Sequence, residues 1–392
     1  MMSKAELVIV QNRETQFDAP LYDLIHRQTI LALSVIYTTP PEPGGVRDSE
    51  LGFSPGWDHL SAHHYPRRTL RHSGPLAIWR LARELRRRQP ALVLICGYFP
   101  RNQLFLAVLL RLLGQRIGLR SDNTLAHTTF HGLRGRVRRL CVGPIQRLFH
   151  TWHPVGEQAL AYLRTLSGSN RPSYRFAYSV DNDWFAAQST KARLNRSQFL
   201  AEKDWPHDAF VVLGIMKWAP REDPITLVAA FQELQQRVLR ARLILVGDGP
   251  LRDAVAAACQ PLGNSVLCPG YVPYSQLPDW YGRADVFVHP APDEPWGVSV
   301  TEALACGVPV IAADGVGAAR EVLQGDECGG TFPNHNAEAL MDALLNRAAD
   351  VETSQHANAC REAADRWHYR QTIEQFKLAM QAAEVCEVYR HA

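Results

Sequence analysis

The segment Asp293-Glu294-Pro295-Trp296-Gly297-Val298-Ser299-Val300-Thr301-Glu302-Ala303-Leu304-Ala305-Cys306-Gly307-Val308-Pro309-Val310 reads as a loop, a helix over 299–305 and the start of a strand over 308–312. Outward from it the same alternation recurs. Residues 210–215 read as a strand, 225–239 as a helix, 241–246 as a strand, 251–258 as a helix, 265–268 as a strand, 276–281 as a helix and 286–289 as a strand. In the first half, 6–10, 91–96 and 116–119 read as strands, and Leu76, Trp79, Leu81 and Leu85 follow the helical period over 76–87. Strands alternating with helices imply parallel α/β sheets of the doubly wound kind.

A chain of 392 residues that is 46% hydrophobic exceeds what one core usually supports, so two domains are expected. Their expected limits are an N-terminal Rossmann-like domain over 1–185, a polar linker over 186–206 and a C-terminal Rossmann-like domain over 207–366. A last helix over 367–392 is expected to pack back on the N-terminal domain. The 8 cysteines are scattered, with no C-x-x-C pair and no Cys/His cluster at ligand spacing, so neither a disulfide framework nor a metal site is expected. The start of the chain lacks a secretory signal pattern, and the apolar stretches 91–96 and 104–113 fall short of the roughly 20 residues of a membrane span. The expected location is cytoplasmic.

The net charge of +3 hides an asymmetry. Through Phe185 there are 24 Lys and Arg against 13 Asp and Glu, a surplus of +11; the remainder has 18 against 26, or −8. Much of the surplus lies in 67–88 and 134–147, where arginines alternate with Leu, Ile, Val and Trp. That patterning suits an anionic membrane surface on which the protein would sit peripherally; a solvated helix face is the plain alternative. No nucleic-acid-binding module is identifiable, so no nucleic-acid partner is expected.

The chemistry concentrates in the opening segment. Gly297 lets backbone approach a ligand, and the free N–H groups of the helix that follows form an anion site fit for a diphosphate. Glu302 can accept hydrogen bonds from a ribose diol and Glu294 from sugar hydroxyls. On spacing alone, two glutamates eight apart in a strand-loop-helix unit are more often a helix cap and a surface charge.

The segment resembles the E-P-F-G-x-x-x-x-E-A-M-A-x-G-x-P-V-I signature of glycosyltransferase family four, the retaining enzymes of the GT-B fold. Leu245-Val246-Gly247-Asp248-Gly249-Pro250-Leu251, Gly270-Tyr271-Val272-Pro273 and Ala284-Asp285-Val286-Phe287-Val288 follow the family pattern in order, so the resemblance covers about 211–345. It implies two Rossmann-like domains facing a central cleft. It places Glu294 near the donor sugar, Glu302 on the ribose, the Gly297 and Val298 amides by the phosphate or sugar, and the Tyr271-Val272 turn by the base. The family also supplies two basic side chains from a G-R-L-x-x-x-K-G type turn. Lys217 matches the first, whereas Glu222 stands where the second lysine is expected, and Arg221 is the adjacent cation that could substitute. The resemblance implies no cofactor beyond the sugar nucleotide and no metal. Asp181-Asn182-Asp183 looks like a metal-binding D-x-D but falls in a segment similar to the family's P-Y-x-V-D-x-x-x-F.

In the first half, Gln16-Phe17-Asp18-Ala19-Pro20-Leu21-Tyr22 and Trp57-Asp58 resemble a bacterial subgroup associated with surface polysaccharides. Asp122, in Arg120-Ser121-Asp122-Asn123, is the candidate polar group at the reacting centre; capping of the next turn is an equal alternative. His127 and His131 are further loop candidates. The function so implied is hexosyl transfer from a nucleotide diphosphate sugar to a glycan or lipid-linked acceptor, metal-independent and with retention, in bacterial polysaccharide or glycolipid synthesis. A GT-B-like nucleotide-sugar isomerase and a non-catalytic sugar-nucleotide-binding protein remain open alternatives.

Overall fold

The computed structural model describes residues 5–39, 48, 50–53, 64–126, 132–323, 325–350 and 353–391. Two compact units are present, one formed by Met1–Pro43, Leu60–Ser179 and Tyr369–Ala392, the other by Gly44–His59 and Val180–His368. In chain order the first contains β1 (Glu6–Gln11), α1 (Asp18–Arg27), β2 (Ala32–Tyr37), β3 (Arg67–Thr69), α2 (Pro75–Arg88), β4 (Leu92–Cys96), α3 (Arg101–Leu112), β5 (Ile117–Ser121), α4 (Gly132–Arg147), β6 (Thr151–Pro154) and α5 (Glu157–Ser167). The second begins with α6 (Asn182–Leu194), α7 (Arg196–Glu202), β7 (Phe210–Ile215), α8 (Pro224–Arg237), β8 (Ala241–Val246), α9 (Arg252–Cys259), β9 (Val266–Gly270) and α10 (Leu277–Arg283). It continues with β10 (Val286–His289), α11 (Val298–Ala305), β11 (Val310–Ala313), α12 (Gly317–Val322), β12 (Gly329–Phe332), α13 (Ala337–Ala349) and α14 (Thr353–Asp365). The last helix, α15 (Tyr369–His391), is part of the first unit.

Each unit holds one six-stranded parallel sheet, ordered β3-β2-β1-β4-β5-β6 in the first and β12-β11-β10-β7-β8-β9 in the second. The central strands are apolar along their whole length, as Leu7 to Val10 and Val211 to Leu213 illustrate, because helices cover both faces. In the first unit one face packs on Ile78, Leu81, Leu106 and Leu110. The other packs on α1 and on Ile373, Phe376 and Met380 of α15.

The sequence reading missed β2, β3, β6 and β12. The last three are short edge or near-edge strands of 3 to 4 residues, too brief to show a period. Within the basic stretch 67–88, residues 67–69 form β3, and several arginines are neutralised locally. Arg67 pairs with Glu14, Arg68 with Glu84 at 3.0 Å, and Arg88 with Glu6.

The polar stretch 186–206, expected as the linker, is helical through the end of α6 and through α7. Within it Ser189, Ala192, Phe199 and Leu200 are buried, as is the preceding Phe185, and α6 packs on α10. Asp181 caps α6, accepting from the Trp184 N–H at 3.0 Å, which gives the D-x-D segment a structural role. The first half is likewise not one unit throughout, since Gly44–His59 groups with the second.

Gly282 sits at the α6–α10 contact, where a Cβ would lie 2.3 Å from the Ser189 carbonyl oxygen. Gly282→Ala should therefore cost about 1–3 kcal/mol, the usual penalty of overpacking. Gly330, with nothing within 4 Å of its Cβ position, is the control. Chemical denaturation of both variants is the measurement; equal stabilities would refute this account of the contact.

Candidate active site

β7 and β10 are hydrogen-bonded neighbours at the point where the strand order of the second sheet reverses. Ligands of such sheets bind beyond the carboxyl ends of the strands at that point. The loop after β7 carries Lys217, Arg221 and Glu222, and the loop after β10 carries Glu294 and Gly297. Residues 70 or more apart in sequence thus come from two adjacent strand ends.

Gly297 opens α11 at φ +90°. A Cβ there would lie 2.8 Å from Val316 Cγ1 and 3.1 Å from the His289 ring, so a side chain fits neither the backbone nor the space. The Glu294 carboxylate accepts from the Trp296 N–H at 3.3 Å. Glu302, on α11, is buried and accepts from the Tyr281 hydroxyl at 2.9 Å. Burial pushes its pKa up to about 7, against hydrogen bonds from Tyr281 and Tyr274 that pull it down.

The two expected cations are held by carboxylates. Lys217 Nζ donates to Asp48 at 2.5 Å and to Glu50 at 3.0 Å, while Arg221 Nε and Nη2 fork onto the Glu50 carboxylate at 3.0 and 3.1 Å. Arg221 Nη1 also lies 2.8 Å from Glu222 and 3.8 Å from Glu294. Burial raises the Glu222 pKa to about 7, with Arg221 opposing and Glu294 reinforcing the shift. His289, the last residue of β10, is buried, and neither ring nitrogen has a hydrogen-bond partner. Burial, then Arg221, lowers its pKa to about 4, so the ring is neutral at physiological pH.

Tyr271 and Val272 follow β9, further along the sheet. The Tyr271 ring meets Phe53 edge-on at 5.2 Å between centroids, and the Val272 side chain is buried. Gly247 and Gly249 serve the backbone. A Cβ on Gly247 would lie 1.9 Å from the Met216 carbonyl oxygen and one on Gly249 2.6 Å from that of Trp218. These glycines therefore let the loop after β8 press against the loop after β7.

The first unit has a cavity of its own, about 590 Å³, bordered by Asn12, Tyr98, Asp122, Arg138 and Tyr178. Asp122 accepts from the Tyr178 hydroxyl at 2.8 Å. Behind it, buried Arg120 donates to both oxygens of Asp18 at 3.0 and 2.8 Å and to the Phe176 and Ala177 carbonyls. Its guanidinium stacks 3.6 Å from the Phe176 ring centre and 4.5 Å from that of Tyr178. Trp57, Asp58, His127 and His131 lie outside the described residues.

Residues 195–367 match the family described as Glycosyl transferases group 1. A GDP-mannose-dependent alpha-(1-6)-phosphatidylinositol monomannoside mannosyltransferase of Mycolicibacterium smegmatis is 29% identical over 203 residues, 49% of this chain and 51% of that protein. A D-inositol 3-phosphate glycosyltransferase of Xylanimonas cellulosilytica is 30% identical over 177 residues, 44% of this chain and 42% of that one. The chain thus spans about half the length of these curated relatives. Among solved structures, Anabaena Alr3699/HepE in complex with UDP superposes with a TM-score of 0.73 at 15% identity, covering 96% of this chain and 100% of that one. The fold is that of the GT-B glycosyltransferases, and the matched segment, less than half of the chain, is similar to the glycosyl transferases group 1 family.

Lys217, Arg221, Glu294 and Gly297 come from the two adjacent loops, and Glu302 lies on the helix that follows them. Tyr271 and Val272 stand after a different strand, and Asp122 belongs to the first unit. The sequence reading missed His289 and the acidic pair Asp48 and Glu50 as site residues, and Arg120, Asp18 and Tyr178 as the support of Asp122. The signal for Arg120 was an arginine directly after the apolar run Ile117–Leu119, inside the strand β5. For Asp48 and Glu50 there was none, because their partners lie more than 160 residues away.

Glu302 makes a pH-dependent stability effect testable. Between its ordinary value of 4.5 and about 7 the folded chain holds a proton that the unfolded chain releases, so stability falls as pH rises through that window. Glu302→Gln should therefore raise the thermal midpoint at pH 8, by an amount corresponding to roughly 2–4 kcal/mol, and leave it nearly unchanged at pH 4. An equal shift at both pH values, seen by calorimetry, would rule out a buried, proton-holding Glu302.

Proposed function

We propose that the chain transfers a hexosyl group from a nucleotide diphosphate sugar to a hydroxyl of a glycan or lipid-linked acceptor, with retention of anomeric configuration. One observation carries the donor half of this reading: the β7 and β10 loops, adjacent at the reversal of strand order, join two cations to the amino end of α11. Breaking the sugar–phosphate bond leaves additional negative charge on the nucleoside diphosphate, and fixed cations with a helix amino end stabilise it. In this reading Lys217 and Arg221 exchange Asp48 and Glu50 for phosphate oxygens, and the Gly297 and Val298 amides face the phosphate or sugar. Glu302 takes the ribose hydroxyls, Tyr271 and Val272 flank the base, and Glu294 holds the donor sugar. Asp122, held by Tyr178 in the first unit's cavity, is the polar group for the reacting hydroxyl. The two curated relatives described above are named for inositol-containing acceptors, one of them a lipid, and this supports the acceptor class.

Calorimetry with uridine and guanosine diphosphates, followed by assay of sugar-nucleotide turnover with lipid and glycan acceptors, tests this. Lys217→Ala and Glu302→Ala should each weaken nucleotide binding about 10-fold or more, the worth of a hydrogen bond to a charged group. Glu294→Ala should slow transfer about 10²–10³-fold. Unchanged nucleotide affinity in both folded binding-site variants would reject the placement.

The acceptor class fits an anionic membrane surface on the cytoplasmic face, in synthesis of a bacterial polysaccharide or glycolipid. No described helix is long and apolar enough to cross a membrane. On α4, however, Leu133, Val137 and Leu140 are 77%, 49% and 75% exposed at helical spacing, with exposed Arg136 and Arg139 beside them. Apolar side chains with flanking arginines suit entry into a headgroup layer, where each arginine gains about 1 kcal/mol. Full-length protein should sediment with anionic vesicles at low salt, less so at high salt, where charges are screened beyond a few ångströms. Leu133→Asp with Leu140→Asp should abolish sedimentation. Absence of the wild type from the anionic pellet at low salt would refute membrane attachment.

A further inference from the structure

We propose that Glu222, His289 and Glu294 form a divalent-cation site of the manganese type inside the donor site, supplying the charge that a lysine at position 222 would otherwise supply. The imidazole nitrogens and carboxylate oxygens of the three residues offer one ligand atom each, all within 4.8 Å of one another. Glu222 comes from the β7 loop, His289 from the end of β10 and Glu294 from the loop beyond it, so the adjacency of the two strands creates the set.

His289 is the observation that points to a ligand. It is 4% exposed, its two ring nitrogens are buried, and neither has a hydrogen-bond partner. A buried imidazole left without partners is costly unless something else occupies its lone pair. Neutral imidazole is a metal ligand, and one imidazole with two carboxylates leaves coordination positions open for phosphate oxygens and water.

The charge balance of the site points the same way. Lys217 and Arg221 face four carboxylates, those of Asp48, Glu50, Glu222 and Glu294. With all four ionised, they outnumber the two cations by two charges, which one divalent cation cancels. Arg221 is the competing cation for Glu222, but its Nε and Nη2 are engaged by Glu50, so only Nη1 turns to Glu222 and Glu294. As the bond from the anomeric carbon to the phosphate oxygen breaks, its electron pair stays on that oxygen, and a cation beside it stabilises the charge. This departs from the metal independence that the family resemblance implies, and the difference originates in a single residue, Glu222.

The role of the cation in transfer rests on the proposed function; its binding does not, and the two are tested apart. Metal-free full-length protein titrated with Mn²⁺ alone, followed by electron paramagnetic resonance, should show one saturable site. His289→Ala and Glu222→Gln should each weaken it at least about 10-fold, by loss of one ligand. Circular dichroism and the thermal midpoint establish that the variants are folded. Glu222→Lys should bind no Mn²⁺ yet bind nucleoside diphosphate without metal, where the wild type requires Mn²⁺ for tight binding. Absence of a saturable site in the wild type, or its retention in both His289→Ala and Glu222→Gln, would overturn the proposal. Saturable Mn²⁺ binding without any sugar-nucleotide turnover would uphold the site while defeating the transferase reading.

Discussion

The reversal of strand order between β7 and β10 is the constraint on which the second unit's chemistry depends. In a parallel sheet wound in two directions, helices leave neighbouring strands on opposite faces only at the reversal, so the two loops there are not covered by a shared helix. In this chain the loop after β7 contributes Lys217, Arg221 and Glu222, and the loop after β10 contributes Glu294 and Gly297. His289 belongs to the strand itself and is fixed by it. Apolar strands thus hold polar groups at defined positions that the loops, left to themselves, could not hold.

The first unit uses the same principle with different chemistry. Its reversal lies between β1 and β4, and its cavity is bordered by residues that follow β1, β4 and β5. There the central ion pair is Arg120 with Asp18, both at most 5% exposed. Removing one partner of a buried pair is typically costly by about 3–5 kcal/mol, because the other charge is left uncompensated. The fork of Arg120 onto Asp18, its bonds to two carbonyls and its stacking on Phe176 and Tyr178 hold Tyr178 in place, and Tyr178 holds Asp122. Position at this site is thus set by a charge that the sequence alone presents as one more arginine of a basic half.

What was legible in the sequence follows from range. The long apolar strands, the helices between them and the segment from Glu294 to Glu302 depend on neighbours within about ten residues, and the pattern carries them. The short edge strands β3 and β12 depend on a partner strand rather than on their own composition. Residues 186–206 read as a linker because most of them are polar, whereas the burial of Ala192, Phe199 and Leu200 within the second unit decides their structure. The metal-ligand set is the extreme case. Cysteine and histidine spacing is informative when ligands lie on one loop or helix, and Glu222, His289 and Glu294 lie on two strand ends separated by a whole run of helices and strands.

Net charge and local potential also separate in this molecule. The basic surplus is in the first half of the chain, yet the residues suited to a diphosphate lie in the acidic second half. A net charge of −8 over that half repels an anion at long range, but screening confines that effect to about a Debye length, about 8 Å at physiological salt. Within that distance the balance is set by a few side chains and by the amino end of α11. Burial strengthens their interactions and at the same time makes an unmatched carboxylate expensive, which is why Glu222 and Glu302 both hold their protons up to about pH 7. The carboxylates of such a site take up protons or pair with cations, and any ligand that binds there has to complete the same balance.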